Sequence, residues 1–210
     1  VLEELMPPTV AIAEVFGDVA DVELFPEEQA VIAVAIEGRR REFTTGRHCA
    51  HLALSRLGLP RTPLLPGPSR APMWPPGIVG SITHCEGYRA AAVAHAQDIG
   101  SVGIDAEPNQ PLPEGVARLV VFDDDYTVPA GYGVHADRLL FCCKEAVYKA
   151  WYPLTGRWLG FEDVRVRIEE LRFTAKLKVP GPILDGVEVT GFTGRWIARD
   201  RLILAAVVVG

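Results

Sequence analysis

Long apolar runs are missing from this chain. The longest, Leu202 to Val209 (LILAAVVV), falls far short of the roughly 18 residues a membrane-spanning helix needs, and its β-branched make-up reads as a buried strand. No membrane span is expected. Basic excess is missing too: 21 Lys and Arg stand against 27 Asp and Glu, a net charge of −6. That disfavours nucleic acid as the main partner, because phosphate neutralisation needs a basic surface. Cysteine is scarce, and the four present (Cys49, Cys85, Cys142, Cys143) form no CxxC pair. A 210-residue chain that is 49% hydrophobic needs no disulfide staples, so a reducing cytoplasm is the expected compartment. His48, Cys49, His51, His84 and Cys85 match no standard zinc spacing, and His48 and Cys49 point to different sides of a helix. No GxxxxGK[ST] loop occurs and no GxGxxG opens a helix after a strand, which disfavours P-loop and dinucleotide folds. The opening VLEELMPPTV lacks the basic and apolar regions of a signal peptide. It also lacks a starting methionine, so residues upstream are expected.

What is present falls into two similar halves. Pro26 starts a helix with acids in its first turn, expected to run to about Ile36 before Gly38 interrupts. RRREFTTGRHCAHLALSRLG forms a second helix closed by Gly58 and Pro60. Residues 60–77 hold seven prolines and read as an irregular loop. Ile78 to His84 and Tyr88 to His95 form a hairpin around Glu86-Gly87, and Ser101 to Ile104 another strand. Residues 109–133 read as loop, with an acidic knot at Asp123, Asp124 and Asp125. A helix from Ala136 to Tyr152 is expected to stop at Pro153. Strands follow at Val164 to Ile168, Leu171 to Val179, Val187 to Ala198 and Arg201 to Val209. Helix then strands, twice, predicts an α+β duplication with a cleft where the lobes meet.

The chemistry concentrates in two segments. VGIDAEP (102–108) ends a strand with Asp105 and Glu107 projecting to the same side. FCCKEAVYKAW (141–151) places Glu145 and Lys149 one above the other on a helix face. Alone, each pattern also suits solvated surface charge. Set among Val102, Ile104, Phe141 and Tyr148, such charges need a partner or a metal. Three carboxylates and an ammonium suit Mg²⁺ beside a phosphate. Arg40 and Arg47 lie two helical turns apart, flanked by Arg39 and Arg41; the row is either a solvated face or a phosphate grip. Arg70 sits in the proline loop, and Ser81, Thr83 and His84 end a strand with possible phosphate donors.

GRHCA, MWPPGIVGSITHCEGYRAAAVA, VGIDAEP and FCCKEAVYKAWYPLTGRWLGFEDV resemble the phosphopantetheinyl transferases. The likeness is to the larger, monomeric two-lobed type of actinobacteria, which serves siderophore, polyketide, nonribosomal peptide and fatty acid synthesis, and it extends from about Glu28 to the C-terminus. The resemblance implies two similar α+β lobes packed as a pseudo-dimer with the active site between them. We place the nucleotide grip in residues 1–106 and the metal, pyrophosphate and carrier-docking parts in 107–210. It implies that Asp105, Glu107 and Glu145 hold Mg²⁺, with Mn²⁺ as a substitute, and that Lys149 binds the coenzyme A pyrophosphate. Ser81 and His84 would contact nucleotide phosphates, Arg39 and Arg47 the 3′-phosphate, and Arg70 the nucleotide. Glu145 is the candidate base, acting directly or through water. The partners implied are acyl and peptidyl carrier proteins. Ala106 is smaller than the residue many members carry there. Apolar residues of the 112–134 loop (Leu112, Leu119, Val120, Val121, Phe122) are either a carrier-docking cluster or a buried anchor. Rival readings are another Mg²⁺-dependent phosphotransferase or nucleotide hydrolase, and a non-catalytic coenzyme A-binding module.

Overall fold

The computed structural model describes residues 1–123, 125, 133–199 and 201–210. In chain order the elements are β1 (Ala11–Phe16), α1 (Pro26–Val31), α2 (Glu37–Arg56), β2 (Ile78–Cys85), β3 (Tyr88–His95), β4 (Ser101–Pro108), α3 (Glu114–Val120), α4 (Ala136–Thr155), β5 (Val164–Glu169), β6 (Arg172–Leu177), β7 (Ile183–Leu184), β8 (Val187–Glu188), β9 (Gly191–Arg199) and β10 (Leu202–Val209). Among the described residues they form a three-stranded sheet, β1-β3-β2, a five-stranded sheet, β4-β10-β9-β6-β5, and the small β7-β8 ribbon. Each large sheet carries one long helix, α2 on the first and α4 on the second. The α+β, two-lobed expectation is met.

Strand composition explains the layering. β3 is buried along nearly its whole length. Ala91 and Val93 join the core under α2, while Ala90, Ala92 and Ala94 face a second core shared with Ile104, Leu204 and Ala206. Small side chains let layers close on both faces of one strand. β4 needs the same economy on the α4 side. A Cβ at Gly103 would lie 2.0 Å from the Ala146 carbonyl oxygen and 2.5 Å from Ala150 N, so only glycine admits the helix that closely. The Ser101 hydroxyl donates to Ala150 O at 2.8 Å across the same contact.

The two large sheets meet edge to edge at β2 and β4 without a backbone ladder. Hydroxyls take the place of carbonyls: Ile104 N donates to Ser81 Oγ at 3.1 Å and Ala106 N to Thr83 Oγ1 at 3.0 Å. Buried edge donors require some acceptor, and the alternation along GSITH supplies two. The division expected between 106 and 107 lies within β4, which pairs along its whole length with β10.

Local expectations shift in several places. α1 stops at Val31, leaving Val34 98% and Ile36 79% exposed. β1 was not foreseen. The expected loop contains α3, and Asp124 and 126–132 lie outside the described residues. α4 runs through Pro153 to Thr155. Proline in a last turn forfeits one hydrogen bond, and Gly156 at φ +62 closes the helix with its N–H on Tyr152 O. The expected strand 187–198 divides into β8 and β9.

Candidate active site

Because Gly103 draws α4 onto β4, the strand-end acids meet the helix face that carries Glu145 and Lys149. Asp105, 5% exposed, accepts from Lys149 Nζ at 2.7 Å and from the Thr83 hydroxyl at 3.3 Å, both on Oδ1. Its other oxygen, Oδ2, is buried with no partner. Burial pulls the Lys149 ammonium down, but Asp105 and then Glu145 outweigh it and hold its pKa above the usual lysine value. Glu145 is pushed up to about 7 by burial and then by Asp105 and Glu107, against the opposing pull of Lys149. Glu107 is likewise raised, by burial and by Asp105, although Arg138 opposes this. Arg138 Nη1 donates to Glu107 Oε2 at 2.7 Å.

A buried carboxylate oxygen without a partner and a neighbouring carboxyl that resists ionising both show unmet demand for positive charge. All the donors are oxygens, which suits a small hard cation such as Mg²⁺. The three acids are not gathered symmetrically, however: among the described residues no three His, Cys, Asp or Glu side chains form a metal-sized cluster. Of the His and Cys residues weighed for zinc, His51 has its Nε2 engaged with Glu28 Oε1 at 2.9 Å.

A second group of cations lines a cavity. A cavity of about 510 Å³ is lined by Arg39, Arg47, Arg70 and His84, with Val31, Ile32 and Phe43 forming an apolar wall. Arg47, 6% exposed, stacks over the Phe43 ring, its Cζ 4.4 Å from the centroid, and donates from Nε to Leu64 O at 2.7 Å. Burial, then Arg39, draws its pKa down to about 10, against Glu28. Arg39 Nη1 lies 3.1 Å from His84 Nε2. Burial, with Arg39, Lys149 and Arg89, lowers the His84 pKa against Glu42, so the imidazole is neutral near pH 7. Arg40 does not join them: its Nε donates to Ala35 O at 2.9 Å and its Nη2 to Ala33 O at 2.5 Å, so contacts with the segment before α2, not helical phase, keep it out of the cavity.

An adjoining cavity of about 290 Å³ shares Arg70, Pro72 and Ile82 with the first and is lined further by Ser81, Glu145, Tyr148 and Lys149. Arg70 follows Ser69 in a 3₁₀ turn, both with left-handed backbones at φ +63 and φ +52, which puts it on the rim of both cavities. Ser81 Oγ accepts from Ile104 N but keeps its own proton to donate.

The structure therefore unites Asp105, Glu107, Glu145 and Lys149 in one electrostatic group, and Arg39, Arg47, Arg70 and His84 in one cavity. Thr83's bond to Asp105 was not anticipated, nor was Arg138. The latter had a signal: it lies seven residues before Glu145, two helical turns along the same face. The apolar loop cluster divides. Leu112 (7%) and Val120 (0%) are buried, whereas Leu119 (66%) and Val121 (45%) are exposed. Phe122 is held between Lys144 and Arg165, 4.8 and 4.6 Å from its ring centroid.

Residues 27–94 match the family description "4′-phosphopantetheinyl transferase N-terminal domain" and residues 101–181 "4′-phosphopantetheinyl transferase superfamily". The chain is 49% identical to 4′-phosphopantetheinyl transferase Svp of Streptomyces mobaraensis over 98% of its own length and 87% of the relative's. It is 45% identical to Npt of Nocardia iowensis, covering 98% of each chain, and 44% identical to PptT of Mycobacterium tuberculosis, covering 97% and 96%. With both lobes matched and the identity sustained across nearly the whole length, the chain belongs to the 4′-phosphopantetheinyl transferases.

Proposed function

We propose that this protein transfers 4′-phosphopantetheine from coenzyme A to a serine hydroxyl of an acyl or peptidyl carrier protein, releasing adenosine 3′,5′-bisphosphate. The observation that carries this reading is a pair of adjoining cavities that share Arg70, Pro72 and Ile82: one cation-rich with an apolar wall, the other lined by Lys149 and Glu145. Such a layout suits a nucleotide at one end and a reacting pyrophosphate at the other.

The roles follow from position. Arg39 and Arg47 grip the 3′-phosphate, the latter pre-set by Phe43 and the Leu64 carbonyl. Arg70, Ser81 and neutral His84 steady the nucleotide phosphates. Asp105 and Glu145 would hold Mg²⁺, or Mn²⁺ in its place, with Glu107 alongside; that cation supplies charge neutralisation at the pyrophosphate. Phosphoryl transfer depends mainly on positioning and electrostatics. Lys149, fixed by Asp105, takes charge developing on the pyrophosphate oxygens. Glu145, whose environment raises its proton affinity, receives the serine proton directly or through water. The exposed Leu119 and Val121 are the apolar docking points for the carrier. We further take the protein to act as a cytoplasmic monomer; no described helix is long and apolar enough to cross a membrane.

Mass spectrometry of apo carrier proteins incubated with coenzyme A and Mg²⁺ tests this. One phosphopantetheine mass added to the carrier's serine, with adenosine bisphosphate released only when carrier is present, is the expected result. Nucleotide release without carrier would favour the hydrolase alternative, and no reaction across a panel of carriers would favour a binding module.

A further inference from the structure

A buried carboxylate that lines neither cavity holds the far side of the Arg47 anchor. Glu28, in the first turn of α1, is fully buried. Its Oε2 accepts from Phe25 N at 3.1 Å. Its Oε1 accepts from Leu64 N at 3.0 Å and lies 2.9 Å from His51 Nε2. Burial pushes its pKa up, but the bonds from His51, Leu64 and Phe25 outweigh it and hold the carboxyl below its usual value. Leu64, also fully buried, is the residue whose carbonyl receives Arg47 Nε at 2.7 Å. One residue thus gives its N–H to Glu28 and its C=O to Arg47. Arg47 and His51 stand four apart on α2 and share a face, so Arg47, Leu64, Glu28 and His51 close a ring.

Among the described residues, Nε is the only Arg47 nitrogen with a hydrogen-bond partner. Both Nη groups therefore stay available to a ligand in the cavity that Arg47 lines, and where they point depends on where the Leu64 carbonyl sits. A buried N–H without an acceptor is costly, so Leu64 stays where Glu28 can reach it. The same residue roots the proline loop. Met73 N donates to Leu65 O at 2.9 Å and Gly67 N to Ala71 O at 2.8 Å, while Pro66 bridges Pro72. The loop hangs from Leu64 as one piece, and Arg70 hangs with it. Resting on the reading of Arg47 as a grip for the 3′-phosphate, we propose that Glu28 is a positioning residue that sets the preference for a ligand carrying that phosphate. Glu28 does not line the cavity; it acts through Leu64, aiming Arg47 and seating the loop of Arg70 with one carboxylate.

The test is calorimetric binding of coenzyme A and of 3′-dephospho-coenzyme A to the full chain, at a temperature where every variant is folded. Glu28→Leu, which removes both acceptor oxygens, should weaken coenzyme A about fivefold or more beyond its effect on the dephospho ligand. That is a large part of the roughly tenfold a well-placed arginine–phosphate bond contributes. Glu28→Gln keeps an oxygen for Leu64 N and should hold the ratio of the two affinities within about twofold of the unaltered protein. In an Arg47→Ala background, adding Glu28→Leu should move the ratio by less than about twofold, because residues acting through one another are not additive. Equal losses for both ligands in Glu28→Leu would overturn the proposal, as would a further fall in the ratio on top of Arg47→Ala. Should Glu28→Leu not fold, Glu28→Asp, whose carboxylate stops one methylene short of Leu64, is read in its place, with a fall in the ratio of about threefold or more expected. If Arg47→Ala alone leaves the ratio unchanged, the 3′-phosphate reading fails and the proposal falls with it, a pattern distinct from failure at Glu28 alone.

Discussion

Glu145 illustrates how environment turns an ordinary helix-surface residue into a reactive one. Its carboxyl is raised from 4.5 to about 7 by burial and by Asp105 and Glu107. The native state therefore keeps a proton that the unfolded chain releases, so rising pH favours unfolding across that window. Stability tied to Glu145 is full in acid and is lost as pH climbs through about 7. Glu145→Gln removes the dependence: in chelator, its stability advantage over the unaltered protein should grow by on the order of 2–3 kcal/mol between pH 5 and 8. Melting curves at the two pH values check this, and a constant gap would mean that the group is not perturbed. Arg47 makes a second residue-level case. Arg47→Ala should weaken coenzyme A binding more than 3′-dephospho-coenzyme A binding, by about 1.5–3 kcal/mol or tenfold and above. The difference between ligands is the decisive quantity, since Arg47 also props the proline loop through Leu64. Equal losses would show that it does not read the 3′-phosphate.

At the level of elements, the β4–α4 contact builds the site. Helix α4 brings Glu145 and Lys149 to Asp105 only because residue 103 lacks a side chain. In Gly103→Ala the new methyl meets backbone atoms, which cannot swing aside. Such overpacking should cost about 3 kcal/mol or more, lowering Tm by about 6–12 °C in a chain of this size. At a temperature where the variant is still folded, turnover should fall further than the folded fraction does, because a shift of about 1 Å at reacting groups costs about a hundredfold. An unchanged Tm would mean that helix and strand have room the structure does not show. The Lys144 neighbourhood works on the same scale. Fully buried, its ammonium donates to Val120 O, Asp125 Oδ2 and Phe161 O at 2.8, 2.7 and 3.1 Å, clasping the end of α3 beside the catalytic face. Phe122 packs between Lys144 and Arg165 beside this clasp.

The molecule as a whole is two sheets joined by a hydroxyl seam. Ser81 and Thr83 satisfy the β4 donors that a ladder would otherwise take, and Thr83 also steadies Asp105. Thr83→Val keeps the shape and removes the acceptor, leaving Ala106 N–H buried and unpaired. A loss of about 1–3 kcal/mol is expected. Hydrogen exchange should localise the weakening to the β4 amides of Ile104 and Ala106. If protection falls evenly over both lobes instead, the seam is not what holds them together.

Much of this was legible in the residues themselves. Periodicity gave the long helices and the hairpin, because one-sided burial writes itself into sequence at the helix and strand repeats. The acids at 105 and 107 and the Glu145–Lys149 pair stood out because charge amid apolar neighbours requires a partner. Short elements were hidden: β1 and α3 owe their existence to the surfaces they cover, and the length of α1 to tertiary contacts that local pattern does not encode. Sequence by itself settled which residues carry charge and which faces they share. Only the tertiary structure decided that Arg39 rather than Arg40 enters the cavity with Arg47, that Arg138 takes Glu107, and that Asp105 keeps one oxygen unpartnered. Those outcomes depend on how closely α4 approaches β4 and how β2 meets β4, distances fixed by packing between segments far apart in the chain.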